Sequence, residues 1–148
     1  MRPLAALLLA LFTTARALYA CSCMIAEPKS AFKDAAAVVV GEVLDFDGVT
    51  AHVRVVAWFK GPKEDVLELA TNESSAACGY GGLTPGSRHL LYATRFEGRL
   101  HVSLCSRTRA ERDAACDLRY LRSRAGWWRS PFSSLRLLSA MHRPPACG

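Results

Sequence analysis

The sequence predicts a mainly β protein, built as a five-stranded Greek-key barrel of the OB type with flanking short helices. Five segments are rich in β-branched or alternating apolar residues, and short turn signals or one long connector separate them. A helical pattern follows the last of these segments. A seven-stranded sandwich would need more strands than this pattern supplies, so the small barrel is favoured.

The first two predicted strands form a hairpin. Residues 37–46 are rich in valine, and residues 50–59 alternate between apolar and polar side chains. Between them, residues 47–48 are Asp-Gly, a strong signal for a hairpin turn. Gly41 interrupts the first strand, and we expect a bulge or a tight bend there, as small barrels need.

The other three predicted strands lie on either side of a long connector. Residues 65–71 alternate strictly, and the Ser-, Gly- and Ala-rich connector follows at residues 72–86. Residues 88–96 and 99–105 are predicted to form a second hairpin around the Glu-Gly pair at residues 97–98.

Two short helices are predicted to flank the barrel. Residues 30–34 read as one helical turn, with Ser30 as its N-cap. Residues 108–122 read as a longer helix, in which Thr108 and Glu111 have the spacing of a capping box. Its apolar residues share one face: Ala115, Leu118 and Leu121.

The first 20 residues are interpreted as a secretory signal peptide, so the protein is expected to be secreted and extracellular. The apolar run at residues 4–12 is too short to span a bilayer, and Ala20 suits a cleavage site. No later stretch has the length and apolarity of a transmembrane segment. We therefore expect one domain over residues 21–124, followed by a basic tail over residues 125–148.

The charge distribution is uneven. The chain has a formal net charge of +6, and no acidic residue follows Asp117. The basic residues after that position are Arg119, Arg122, Arg124, Arg129, Arg136 and Arg143. Such a tail can bind anionic glycans or simply remain solvated. Nucleic acid is not expected as a partner because the chain is interpreted as exported and disulfide-bonded, and a monomer is expected.

All six cysteines follow the predicted cleavage site, and an even number in a small exported protein indicates disulfides rather than metal ligation. Cys21 and Cys23 are separated by one residue. Neighbours in an extended segment point to opposite sides, so each of these two cysteines should bridge to a different element. Counting alone leaves the connectivity open, since six cysteines allow fifteen pairings.

An enzyme is not expected. The sequence has no GxSxG, HExxH or glycine-rich phosphate loop. The histidines at positions 52, 89 and 101 fall within predicted strands and are interpreted as ordinary barrel positions. No cofactor of the chain's own is expected.

Several short motifs occur in an order that resembles the tissue inhibitors of metalloproteinases, and more broadly the netrin-like module. The resemblance covers residues 21 to about 122. The motifs are Cys21-Ser22-Cys23 with Pro28 and Ala31-Phe32, VVVGEV at residues 38–43, WFKG at residues 58–61, Cys78-Gly79-Tyr80, and Leu104-Cys105-Ser106.

This resemblance implies an inhibitor of zinc metalloproteinases. The α-amine and carbonyl oxygen of Cys21 would chelate the catalytic zinc of the target, and Ser22 would enter its main specificity pocket. The residues implied in protease binding are Cys21, Ser22, Cys23, Met24, Ser75, Ala76, Ala77 and Cys78. The implied disulfides are Cys21–Cys78 and Cys23–Cys105.

Three features depart from the family pattern. Lys33 occupies the place where the family's third bridge would need a cysteine, so Cys116 and Cys147 would either bridge each other or remain unpaired. We expect no counterpart of the family's separate cysteine-rich C-terminal domain in this sequence. Met24-Ile25 replaces the usual Val-Pro, so we expect a more flexible segment after Cys23.

Two alternatives remain open at the level of sequence. The chain could be a non-inhibitory netrin-like module that binds matrix, glycan or protein. Residues 18–21 also resemble a bacterial lipobox, and lipidation of Cys21 would acylate the amine needed for zinc binding. In a eukaryotic secretory pathway, Asn72 would be a glycosylation site because residues 72–74 form a sequon.

Overall fold

The structure is a computed structural model that describes residues 21–72, 74 and 77–124. Helix α1 spans Pro28–Asp34, a 3-10 helix spans Glu111–Asp113, and helix α2 spans Ala115–Arg124. The strands are β1 (Ala37–Phe46), β2 (Thr50–Lys60), β3 (Val66–Ala70), β4 (Arg88–Phe96), β5 (Arg99–His101) and β6 (Arg109–Ala110).

Five of these strands close into a barrel. The hydrogen-bonded order is β1-β2-β3-β5-β4, and β4 pairs back onto β1. All of these pairs are antiparallel except β3 with β5, which run parallel. Strand β6 extends β4 outside the barrel. The predicted five-stranded OB-type barrel with flanking short helices is therefore confirmed.

Closure of the barrel depends on irregularities in the long strand β1. Its register against β2 shifts between Val40 and Gly41. A Cβ atom at Gly41 would overlap the side chain of Val53, so only glycine lets the two strands approach this closely. The bulge predicted at Gly41 is confirmed.

Both predicted hairpin turns are present. The Asp47 Oδ1 atom accepts hydrogen bonds from the backbone N–H groups of Val49 (2.8 Å) and Thr50 (2.6 Å), and Gly48 has a φ of +103°. In the second hairpin, Glu97 and Gly98 have φ values of +48° and +80°. Positive φ at both central residues is the geometry that matches the twist of antiparallel strands.

The core has two parts, because β1 and β4 are buried on both faces. One cluster fills the barrel and includes Val39, Val53, Leu67, Leu69 and Leu91. The other lies between the barrel wall and the helices and includes Val38, Leu90, Tyr92, Leu118 and Leu121. The helices thus cover one outer face of the barrel.

The predicted helix caps are wrong. Helix α1 begins at Pro28 after Glu27, because the fixed φ of proline suits the first helical position, and Ser30 lies inside the helix. The second helix begins only at Ala115. The hydroxyl oxygen of Thr108 is buried and accepts a hydrogen bond from the N–H of Tyr92 at 3.0 Å, which ties this residue to β4.

The fifth strand is also shorter than the predicted residues 99–105. It ends at His101 because the chain turns over residues 103–106. The Ser103 hydroxyl accepts hydrogen bonds from the N–H groups of Cys105 and Ser106, both at 3.2 Å. This local serine turn competes with continued strand pairing.

Candidate functional site

An extended segment at the start of the described chain, residues 21–27, is held against the barrel by two disulfides. We call this segment the arm. Cys21 is bonded to Cys78 with a Cα–Cα distance of 5.5 Å, and Cys23 to Cys105 with a Cα–Cα distance of 5.1 Å. These are the pairings that the family resemblance implies. Cys21 and Cys23 are therefore bonded to two different segments of the chain.

The two segments that receive the disulfides are themselves joined by the backbone. The carbonyl oxygen of Cys78 accepts a hydrogen bond from the N–H of Leu104 at 2.9 Å, and Gly79 forms an antiparallel bridge with Ser103. A Cβ at Gly79 would overlap the carbonyl oxygen of Asn72, so the chain needs glycine here. The arm, residues 77–79 and residues 103–105 form one surface, which we call the arm edge.

The connector is fastened to the barrel just beyond this edge. The N–H of Tyr80 donates to the hydroxyl oxygen of Thr71 at 2.8 Å. The Tyr80 hydroxyl lies 3.0 Å from His89 Nδ1, and His89 Nε2 lies 2.8 Å from the Ser87 hydroxyl. Because that serine hydroxyl donates to the carbonyl oxygen of Thr84, it accepts from Nε2–H, and Tyr80 donates to Nδ1.

This network perturbs both of its titratable members. Burial, with a smaller contribution from the positive charge of Arg112, lowers the pKa of His89 below its usual value. Burial raises the pKa of Tyr80. The sequence interpretation of His89 as an ordinary barrel position missed this role. Its spacing from Ser87, which lies two residues earlier and just before β4, was the available signal.

The arm edge exposes several side chains to solvent. Ser22 is exposed, and the Met24 and Ile25 side chains are 97% and 56% exposed. Leu104 adds a partly exposed leucine from the turn after β5. Large apolar side chains are costly to leave in water, so a cluster of them beside a rigid arm is typical of a binding surface.

The sulfur atoms at this edge are close together but are all oxidised. The Sγ atoms of Cys21, Cys23 and Cys105 lie within 4.8 Å of one another. Cysteine binds zinc as a thiolate, and a disulfide sulfur carries no such charge. Metal ligation by Cys21 would therefore have to use its main-chain atoms.

The structure brings most of the predicted binding residues together. Those on the arm edge are Cys21, Ser22, Cys23, Met24, Ala77 and Cys78. Ser75 and Ala76 lie outside the described residues, as do residues 1–20 and 125–148 with the predicted signal peptide and basic tail. Asn72, the predicted glycosylation site, is exposed, and its side-chain amide donates a hydrogen bond to the carbonyl oxygen of Ala77.

Of the two cysteines outside the arm disulfides, Cys116 lies within the described residues. Cys116 is engaged in a disulfide. Cys147 lies outside the described residues, so the pairing of these two cysteines stays a prediction.

One contact to the arm was missed from the sequence. An Nη atom of Arg107 donates a hydrogen bond to the carbonyl oxygen of Ala26 at 2.7 Å, and Nε of the same guanidinium lies 2.6 Å from Asp117 Oδ1. Asp117 lies four residues before Leu121 and therefore shares the buried face of α2. An acidic residue on that face was the signal available in the sequence.

Comparisons with known proteins identify relatives that bear one name, although no protein-family model matches the chain. Metalloproteinase inhibitor 2 of Homo sapiens is 30% identical over 114 residues, covering 66% of this chain and 52% of that protein. The protein of the same name from Gallus gallus is 30% identical over 118 residues, covering 69% and 54%. That from Bos taurus is 29% identical over 119 residues, covering 70% and 54%.

The chain spans about half the length of these curated relatives. Within the described residues, no helix has the length and hydropathy needed to cross a membrane. Three findings point to the same family: the barrel topology, the two arm disulfides and the sequence identity with these relatives. The chain therefore belongs to the family of tissue inhibitors of metalloproteinases.

Proposed function

We propose that this protein is a secreted inhibitor of zinc metalloproteinases that binds its target through the arm edge. The observation that carries the proposal is the arm itself, an exposed segment that two disulfides fasten to the barrel. Rigid segments lose little conformational freedom on binding, which lowers the cost of forming a complex. The names of the relatives support metalloproteinases as the targets.

In this proposal, the α-amine and the carbonyl oxygen of Cys21 bind the catalytic zinc of the target. A catalytic zinc keeps an open position for such ligands. An α-amine has a reference pKa of about 8, so its deprotonation costs only about 1 kcal/mol at neutral pH. Ser22 enters the main specificity pocket, and residues 75–77 of the connector pack against the target beside the arm.

The mechanism requires that Cys21 be the first residue of the secreted chain. Cleavage after Ala20 would free its amine, whereas lipidation of Cys21 would block it. The decisive comparison is between the protein beginning at Cys21 and a variant with one alanine added before Cys21. The extra residue converts the amine into an amide, and we expect inhibition to fall at least about 100-fold, equivalent to about 2.7 kcal/mol.

The measurement is the inhibition constant against a panel of zinc metalloproteinases with a fluorogenic peptide. Circular dichroism should be identical for the two proteins, and enzymatic removal of the added alanine should restore inhibition. Equal potency of the extended and unextended proteins would exclude chelation by Cys21. Absence of inhibition by both proteins would favour the non-inhibitory binding module.

A further inference from the structure

We infer that Arg107 is a positioning residue that clasps the arm to helix α2 through Asp117 and so holds the arm in its binding conformation. The consequence for inhibition rests on the proposed function. The clasp itself is a property of the free protein and can be tested without any protease.

The clasp uses one guanidinium group for two contacts on two different elements. Arg107 Nε lies 2.6 Å from Asp117 Oδ1, while Nη1 donates to the carbonyl oxygen of Ala26 at 2.7 Å. The planar fork of an arginine can make both contacts at once, because its donors point in fixed and different directions. The arm is thereby connected to a helix on the outer face of the barrel.

The carboxylate that binds Arg107 is buried and lies between two arginines. The Asp117 side chain is only 1% exposed, and its second oxygen lies 3.3 Å from Arg109 Nε. A buried carboxylate needs its cationic partners, since removing one leaves a charge that water cannot solvate. The carboxylate therefore holds Arg107 strongly, unlike an ion pair in solvent.

The backbone that carries Arg107 is also held on both sides. Before it, the Ser106 hydroxyl donates to the carbonyl oxygen of Ser103 at 2.7 Å. After it, the Thr108 hydroxyl oxygen accepts the N–H of Tyr92 at 3.0 Å. Tyr92 is buried, and its burial together with the nearby Asp117 charge raises the pKa of its hydroxyl. Arg107 is thus positioned before any partner arrives.

The arm has little else to restrain it between the second disulfide and helix α1. Between described residues, the contact from Arg107 is the one hydrogen bond that joins residues 22–26 to the rest of the protein. Met24 and Ile25 are exposed, and the segment contains no proline before Pro28. Without the clasp, the flexibility expected from Met24-Ile25 would be available to the arm.

The test compares Arg107→Ala with Arg109→Ala as a matched control. Both changes remove one cationic partner of Asp117, so both should lower the free energy of unfolding. Arg109 has no described contact with the arm, so only Arg107→Ala should loosen residues 24–27. The readout is the ¹⁵N order parameter of these residues, which we expect to fall from about 0.85 to below about 0.6.

Arg107→Lys separates positioning from stability. A lysine ammonium can pair with Asp117 but lacks the fixed fork that also reaches Ala26. We expect this variant to retain most of the stability and yet to show a mobile arm. Against a metalloproteinase, both Arg107 variants should dissociate about tenfold faster, a change of about 1.4 kcal/mol, while Arg109→Ala should not.

The possible results distinguish the clasp itself, its role in positioning the arm, and the proposed function. Unchanged order parameters in both Arg107 variants, or equal changes in the Arg109→Ala control, would overturn the clasp. A mobile arm with unchanged dissociation from an inhibited protease would overturn its role in positioning. A mobile arm in a protein that inhibits no metalloproteinase even with Cys21 first would support the clasp and reject only the proposed function.

Discussion

At the scale of single residues, His89 shows how a buried histidine can hold a loop. It is 4% exposed, and both ring nitrogens have hydrogen-bond partners, Tyr80 on the connector and Ser87 just before β4. The nearby positive charge of Arg112 disfavours a positive charge on the His89 ring. The neutral imidazole therefore fits this site better than the imidazolium ion.

This arrangement predicts that acid weakens the fold around the connector. The folded-state pKa of His89 lies below its usual value of 6.5, so the unfolded state binds more protons as pH falls. The free energy of unfolding should be fully retained above that value and should decrease as pH falls below it. Urea unfolding at several pH values between about 7.5 and 5 measures the effect.

The non-titrating variant His89→Gln should have a flatter pH dependence over the same interval. The control variant His52→Gln keeps His89 intact; because Asp45 raises the pKa of His52, this change should not flatten the pH dependence. An identical slope for His89→Gln and the wild-type protein would show that His89 does not contribute to the acid sensitivity.

At the scale of elements, helix α1 is held on the barrel mainly by its C-terminal end. Lys60, the last residue of β2, donates from Nζ to the carbonyl oxygens of Phe32 (2.8 Å) and Lys33 (2.9 Å). Its ammonium group also lies 5.3 Å from the centre of the Phe32 ring. The last carbonyl groups of a helix lack intrahelical donors, so a lysine there is favourable.

These contacts lie where the family pattern would place a third disulfide at position 33. Arg124, at the end of α2, also approaches helix α1, with its guanidinium carbon 5.5 Å from the Phe32 ring centre. Noncovalent contacts from two cations thus act where a covalent bridge is absent. They stabilise less than a disulfide would and depend on the helix ends remaining formed.

We predict that Lys60→Met lowers the free energy of unfolding by about 1–2 kcal/mol, because it removes two charge-assisted hydrogen bonds. Methionine keeps much of the apolar length of the side chain. The matched control is Lys29→Met on the exposed face of α1, which should change stability by less than about 0.5 kcal/mol. Equal effects of the two changes in chemical denaturation would contradict a specific role for Lys60.

At the scale of the whole molecule, the two disulfides connect the beginning of the described chain to its middle and its later part. Their sequence separations are 57 and 82 residues. Each closes a long loop and should stabilise the fold by about 4 kcal/mol if it acts mainly on the entropy of the unfolded chain. The loops overlap, so the two contributions are not independent.

We predict that the double variant Cys23→Ser with Cys105→Ser loses about 2–4 kcal/mol of unfolding free energy. The matched variant Cys21→Ser with Cys78→Ser should lose a similar amount, since closure entropy depends only logarithmically on loop length and differs by about 0.3 kcal/mol. Denaturant titrations without reductant provide the comparison. Strongly unequal losses would indicate that native contacts, rather than loop closure, dominate one of the bridges.

The sequence patterns that predicted structure correctly were local. The Asp-Gly turn at residues 47–48 and the Glu-Gly turn at residues 97–98 depend on backbone conformations that few residues adopt. Gly41 interrupts a run of valines, which indicates a bulge within the same strand. The capping box at Thr108 had equally suitable spacing, but tertiary contact prevailed because the Tyr92 N–H required an acceptor inside the protein.

The sequence by itself determined the barrel, its hairpins, and the family resemblance that singled out the arm and implied its two disulfides, because alternation, turn chemistry and short motifs are read from neighbouring residues. Only the tertiary structure decided how the arm is held between its disulfides and helix α1. Arg107 and Ala26 are 81 residues apart, and their contact joins an ordinary arginine to a backbone carbonyl. Such a contact leaves no periodic pattern, since its geometry arises only after the barrel has brought the two segments together.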